Sequence, residues 1–220
     1  MRTLPSKILL ATRNPGKVRE MQRLLAGLGV ELPSLLDISA EADPGEPYST
    51  FEANAVHKAA AAARASGMWA LADDSGLEID ALDGFPGVAS NRFAGPEASD
   101  ADRNAAVLER MRDVPLGQRT ARFVCVVALS VPEGEAAVWR GTCEGLIAEA
   151  PGGSGGFGFD PIFYVPSQGR TMAQMPLALK NRLSHRAAAF AQVRRDLAAG
   201  TVPFARPGGG APVDENGCLW

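Results

Sequence analysis

The sequence has little cysteine, no large excess of charge of either sign and no long apolar run. Each shortage excludes something. The three cysteines, Cys125, Cys143 and Cys218, are odd in number and lack C-x-x-C spacing. That pattern excludes a disulfide framework and a spaced thiolate metal site. Cys125 and Cys143 lie in apolar, strand-like runs, which predicts reduced core thiols. The formal net charge is −3, so no broad basic surface for nucleic acid is expected. The opening stretch MRTLPSKILLATRN carries too short an apolar run for a signal peptide. Nothing later approaches the length of a membrane span. The expected setting is cytoplasmic, with no nucleic-acid and no membrane partner.

In bulk the chain is ordinary. Its 220 residues, 46% hydrophobic and 21% charged, suit a soluble enzyme able to bury a sizeable core. KILLA (Lys7 to Ala11) reads as a buried strand and TRNPGK (Thr12 to Lys17) as a turn. A helix follows with Val18, Met21, Leu24, Leu25 and Leu28 on one face and Gly29 as its stop. A second helix is expected to open at Ser49, with Glu52 completing a capping box. MWALA (Met68 to Ala72) predicts a short strand that ends at the pair Asp73 and Asp74. A third helix is capped near Ser99. TARFVCVVALSV and AAVWRGTCEGLIAEA predict an antiparallel hairpin turning around Pro132 to Gly134. A glycine-rich loop, GGSGGFGFDPIFYVP, runs into a short strand. A last helix spans about Ser184 to Ala199, with Ala188, Phe190, Val193 and Leu197 as packing residues. Helices and strands alternate at first and strands then cluster, so the fold class is mixed α/β. Residues 201–220 form a Pro/Gly-rich tail beyond one domain over 1–200.

Several stretches carry chemistry. In ATRNPGKV a strand ends in hydroxyl, amide, proline, glycine and lysine before a helix begins. Backbone N–H groups at a helix N-terminus favour an anion, and Lys17 adds charge in the first turn. Thr12 and Asn14 can donate further hydrogen bonds. This is not a Walker A loop, because Ala11 replaces its first glycine and Val18 follows the lysine. The plainer reading is a strand–turn–helix with a surface lysine.

Asp73 and Asp74 repel each other and are costly to desolvate side by side. A positive partner between them would resolve this. With Glu46 they offer hard oxygen ligands in small number, which suits Mg2+. A bound metal would also let one carboxylate take a proton from an attacking water. The plainer reading of DDSG is a solvated turn. Asn54 and Lys58 share a helix face, and Lys58 can reach a phosphate; His57 faces elsewhere. In GGFGFDP, Phe157 and Phe159 offer aromatic faces for a nucleobase, with Asp160 beside them. Core plugs in a glycine loop are the alternative. In KNRLSHR, Ser184 can cap a helix. Lys180, His185 and Arg186 can donate toward carbonyl oxygens of a base.

Taken in order, TRNPGK, FEANAVHKA, LADDSGLEIDALDGFPGVASNRFAG, GGFGFDPIF and KNRLSHR resemble the inosine triphosphate pyrophosphatase family, the Ham1-like house-cleaning enzymes. The resemblance runs from about Lys7 to Leu197. It implies an elongated two-lobed mixed sheet flanked by helices, an active-site cleft between the lobes, and a homodimer. It implies hydrolysis of non-canonical purine nucleoside triphosphates (ITP, dITP and XTP) to the monophosphate and pyrophosphate, with Mg2+ as cofactor. By that resemblance Thr12, Arg13, Asn14, Pro15, Gly16 and Lys17 hold the triphosphate. Glu46 and Asp74 bind metal. Asp74 accepts the proton of the attacking water, with Asp73 assisting, and Ser75 touches substrate. Phe157, Gly158, Phe159, Asp160, Lys180, His185 and Arg186 form the base pocket. Gln174 and Leu179 stand where the family usually has acidic residues, and Ala53 where it often has a glutamate. A Maf-type pyrophosphatase and a non-catalytic nucleotide sensor are the rivals. The SHR element and the GGFGFDP loop count against the first, and the retained Asp73, Asp74 and Glu46 count against the second.

Overall fold

The computed structural model describes residues 3–38 and 44–205. The elements in order are β1 (Ile8–Leu10), α1 (Pro15–Leu24), α2 (Phe51–Ser66), β2 (Trp69–Ile79) and α3 (Asp100–Arg110). Then come β3 (Thr120–Ser130), β4 (Ala136–Ile147), β5 (Phe163–Val165), β6 (Arg170–Thr171), α4 (Leu177–Leu183) and α5 (His185–Ala199). The strands form one mixed sheet in the order β1-β2-β3-β4-β5-β6. β1 and β2 are parallel, Leu10 opposite Leu71, while β4–β5 and β5–β6 are antiparallel. Among the described residues no helix is long and apolar enough to cross a membrane.

The chain forms two compact units. The first holds the residues up to Asp74, Cys125–Gly141 and the chain from Ala189 on; the second holds Ser75–Val124 and Thr142–Ala188.

Strand periodicity organises the first unit. Successive side chains of a strand point to opposite faces. Ile8, Leu10 and Leu71 join Val18, Met21 and Leu25 of α1 and Phe190, Val193 and Leu197 of α5 in one core cluster. Leu9 and Ala70 join Ala62 and Ala63 of α2 in another. Small alanines on α2 let that helix lie close to the strands. Thr50, not Ser49, caps α2: its side chain accepts from Ala53 N. Gly67 ends the helix in the left-handed region at φ 67°, where glycine carries no Cβ penalty.

The second unit has its own core. Leu77 and Ile79 of β2, Val107 and Met111 of α3, Phe123, Ile147, Phe163 and Met172 are buried together. Ser99 caps α3 through a capping box with Asp102, as the sequence predicts. Cys125 and Cys143 are buried and in no disulfide, and Cys218 lies outside the described residues.

Further expectations fail locally: α1 ends at Leu24, short of the expected stop at Gly29. β2 does not stop at Ala72 but continues through both aspartates to Ile79. The segment before His185, to which no element is assigned from sequence, contains α4. In α5, Ala188 is exposed and Ala189 takes the core position. The predicted tail falls mostly outside the described residues.

Candidate active site

The first unit carries an acidic centre built from β2, α1 and α2. Asp73 and Asp74 are each only 3% exposed. They avoid each other by the alternation that sorts the core. Asp73 follows Leu71 toward α1, where Lys17 Nζ lies 3.0 and 2.9 Å from its two carboxylate oxygens. Asp74 follows Ala70 toward α2, where Lys58 Nζ donates to its Oδ1 at 2.8 Å and Asn54 Nδ2 to its Oδ2 at 3.3 Å. The expected positive group between the aspartates is therefore two lysines, one per carboxylate. One turn of α2 separates Asn54 from Lys58, which is why both reach the same side chain.

Glu46 completes this centre. Lys58 Nζ also donates to Glu46 Oε1, at 2.7 Å, so Glu46 and Asp74 face each other across one ammonium. Asn54 locks the approach segment by accepting from Tyr48 N at 2.9 Å and donating to Tyr48 O at 3.1 Å. Burial pushes the Asp74 carboxyl up to about 7; Lys58 pulls it down and Glu46 pushes it further up. Burial also works against ionising Glu46, but the charge and hydrogen bond of Lys58 outweigh it and hold Glu46 below the usual range. Burial opposes the Lys58 charge too, yet Asp74, Glu46 and Asp73 together raise that ammonium above its ordinary value.

The donor set fits Mg2+. Among the described residues no group of three His, Cys, Asp or Glu gathers to cage an ion. Two carboxylates completed by waters and substrate phosphates are the usual way this ion is held. The close approach of buried Asp74 and half-buried Glu46, with Asp74 pushed toward neutrality, is what an added cation relieves.

The TRNPGK turn does less than its sequence suggests. Asn14 is the N-cap of α1, and its Oδ1 accepts from Gly16 N at 2.8 Å and Lys17 N at 3.2 Å. Thr12 Oγ1 accepts from Asn14 N at 3.2 Å. The cap thus occupies two N–H groups that were expected to face an anion, and Lys17 is turned toward Asp73. Pro15 takes the first helical position, where its missing N–H costs nothing. Arg13 is exposed and donates to Leu35 O at 3.3 Å. Ser75, next along β2, is half-buried.

The second unit carries an aromatic and cationic set. Phe157 is 37% exposed, with Lys180 Nζ 4.5 Å and Arg186 Cζ 5.7 Å from its ring centroid. Lys180 Nζ donates to Asp160 Oδ2 at 2.7 Å, and that oxygen also accepts from Phe157 N at 2.9 Å. His185 stacks on Phe123 with centroids 4.8 Å apart. Ser184 Oγ accepts from Ala187 N at 3.1 Å and so caps α5, which holds His185 and Arg186 at its first turn. Phe159 differs from Phe157. It is buried in the core and stacks on Phe93 at 6.3 Å, so the plug reading holds for it and only Phe157 presents a ring. Gly158 is held by α3, with Asp100 Oδ2 accepting from its N at 2.6 Å and Asn104 Nδ2 donating to its O at 3.1 Å.

The structure thus brings together Lys17 with Asp73, and Glu46, Asn54 and Lys58 with Asp74. In the other unit it brings together Phe157, Asp160, Lys180 and Arg186. Asp100 and Asn104 were missed as site residues, and Asn54 was placed on the Lys58 face without a role. A polar i, i+4 pair on a helix was the signal in each case, but the partners lie far off in sequence.

The pattern that defines the Ham1 family matches residues 8–196. The chain belongs to the Ham1 family. A dITP/XTP pyrophosphatase of Geobacillus kaustophilus is 50% identical over 187 residues, covering 85% of this chain and 92% of that protein. One from Thermus thermophilus is 52% identical over 184 residues, covering 84% and 88%. The structure of a HAM1 protein from Coxiella burnetii superposes with a TM-score of 0.83 at 43% identity, covering 89% of this chain and all of that one. The matched region of the Ham1 family thus includes every candidate residue from Thr12 to Arg186.

Proposed function

We propose that the protein hydrolyses non-canonical purine nucleoside triphosphates, ITP, dITP and XTP, to the monophosphate and pyrophosphate. The observation that carries this is the geometry at Asp74: a buried carboxylate oriented by Lys58 and Asn54 and faced by Glu46 across the Lys58 ammonium. A buried, oriented carboxylate is placed to take a proton from an attacking water. In the reaction, the oxygen of one water attacks the α-phosphorus. The bond from that phosphorus to the bridging oxygen breaks, pyrophosphate leaves, and the water proton passes to Asp74. Asp73 assists by holding Lys17, whose ammonium meets negative charge on the triphosphate; Lys58 does the same from α2. Glu46 and Asp74 would hold Mg2+, which when bound neutralises charge on the phosphates and the leaving pyrophosphate.

Base recognition belongs to Phe157, Lys180, His185 and Arg186. Hypoxanthine and xanthine carry a 6-oxo acceptor where adenine carries an amino donor. Buried donors left facing another donor reject the wrong base strongly. A cytoplasmic house-cleaning role and a homodimer follow from the family resemblance and form part of the proposal.

The test is pyrophosphate release from ITP, dITP, XTP, GTP and ATP with Mg2+, on wild type and Asp74→Asn. The expected result is fast turnover of the first three, slow turnover of the last two, and loss of turnover in Asp74→Asn with ITP binding kept. Equal rates on all five would overturn the specificity. Binding of ITP by wild type with no turnover would make the protein a sensor.

A further inference from the structure

We infer that Asp100 and Asn104, one turn apart at the start of α3, are positioning residues for the base-stacking ring of Phe157. The inference rests on the base-pocket reading above.

Phe157 sits in a run of glycines. Gly156 and Gly158 on either side have φ 76° and 63°, so the backbone there has wide freedom of its own. A ring that must stack on a base needs that freedom removed. Asp160 removes part of it by binding Phe157 N. α3 removes the rest. Asp100 and Asn104 take both polar groups of Gly158, its N–H and its carbonyl. With those two bonds made, the peptide that follows Phe157 cannot rotate. The ring itself stays 37% exposed beside Lys180 and Arg186.

Both residues are tuned for this grip. Arg103 holds the other carboxylate oxygen, with its NH2 2.6 Å from Asp100 Oδ1, so the carboxylate plane is fixed. Asn104 is 5% exposed, and its Oδ1 is buried without a hydrogen-bond partner among the described residues. An unpaired buried acceptor is unfavourable. An apolar side chain of similar size would avoid it at a position needed only for packing. The amide is thus used for its donor, and the donor goes to Gly158.

The experiment separates positioning from helix stability. Asp100→Asn keeps an acceptor for Gly158 N but loses the charge at the helix N-terminus and the ion pair with Arg103. Asp100→Leu loses all three. If Asp100 only stabilises α3, the two variants behave alike. Positioning predicts that Asp100→Leu and Asn104→Leu raise KM for ITP about tenfold, with kcat within about threefold. Asp100→Asn stays near wild type in KM, although its Tm falls with the lost charge and ion pair. Inhibition by inorganic tripolyphosphate, which has no base, is unchanged in all three. A rise in KM for ITP matched by weaker tripolyphosphate inhibition, or no rise in either leucine variant, overturns the inference. Phe157→Ala is measured alongside. If it leaves KM for ITP unchanged, the base-pocket reading itself has failed, which is a different result from failure of the grip.

Discussion

Lys58 Nζ stands 2.8 Å from Asp74 Oδ1, joining the middle of a helix to the middle of a strand. The same ammonium holds Glu46 at 2.7 Å. Remove it and buried Asp74 faces half-buried Glu46 without that cation.

Lys58→Met is therefore expected to destabilise the fold by about 3 kcal/mol at pH 8, in the range for breaking a buried pair. At pH 5 the loss is smaller, because the acids take up a proton in place of the ammonium. kcat falls at least about 100-fold, as for loss of a charge aimed at the reacting groups. Urea unfolding at both pH values checks this. An equal loss at pH 5 and pH 8 would mean that the lysine stem, not its charge, does the stabilising.

Asp74 gives the pH dependence a definite sign. Its carboxyl is raised from 3.8 to about 7 in the folded protein, so the folded state holds this proton more tightly than the unfolded chain. The stabilising contribution is fully present below about pH 4 and is lost as pH rises through about 7. Wild type, measured in a chelator, should lose stability relative to Asp74→Asn across that window. The slope is at most about 1.4 kcal/mol per pH unit. A flat difference between the two proteins from pH 4 to pH 8 would refute the raised carboxyl.

These relationships also show what the sequence could and could not tell. The pair Asp73 and Asp74 was legible as a functional oddity. Its setting was not, because Asp, Ser and Gly are turn residues by local preference. Lys17 and Lys58, 56 and 16 residues away, keep the carboxylates in β2 and override that preference. Phe157 and Phe159 look equivalent, two residues apart in one loop. Only the tertiary core, with Phe93 stacked on Phe159, shows which ring is plugged in. The helix start at Ser99 was readable because caps act within a few residues, whereas the cap at Asn14 was read as part of a turn running to Lys17. α4 was not, since it is short and its N-cap position, Pro176, makes no side-chain cap bond.

The glycine loop offers a paired test. An added Cβ at Gly156 would lie 1.9 Å from Asp160 Oδ2, whereas at Gly158 it meets nothing within 4 Å. Both positions have positive φ. Gly158→Ala should show only backbone strain, about 1–2 kcal/mol. Gly156→Ala should add displacement of Asp160, and with it loss of the Lys180 pair and a raised KM for ITP. If the two variants are equally stable and equally active, the shared Asp160 oxygen does not organise the loop.

Arg119 holds the second unit together in a way the sequence did not reveal. It is 4% exposed. Its guanidinium donates to main-chain carbonyls of Met111 at 2.7 Å, Val114 at 3.2 Å, Ile147 at 2.9 Å and Ala148 at 3.0 Å. The first two lie at and just past the C-terminal end of α3, where orphan carbonyls and the helix dipole favour a cation. The other two close the end of β4. One planar fork thus ties a helix end to a strand end. Arg119→Met should cost about 3 kcal/mol, because the carbonyls of Met111 and Ile147 stay buried and lose this donor. Arg119→Lys should recover little of it, since an ammonium is a point and cannot span carbonyls fixed for a planar fork. Urea unfolding of the two variants decides the matter. A lysine variant as stable as wild type would show that charge alone, rather than the fork, secures the end of α3.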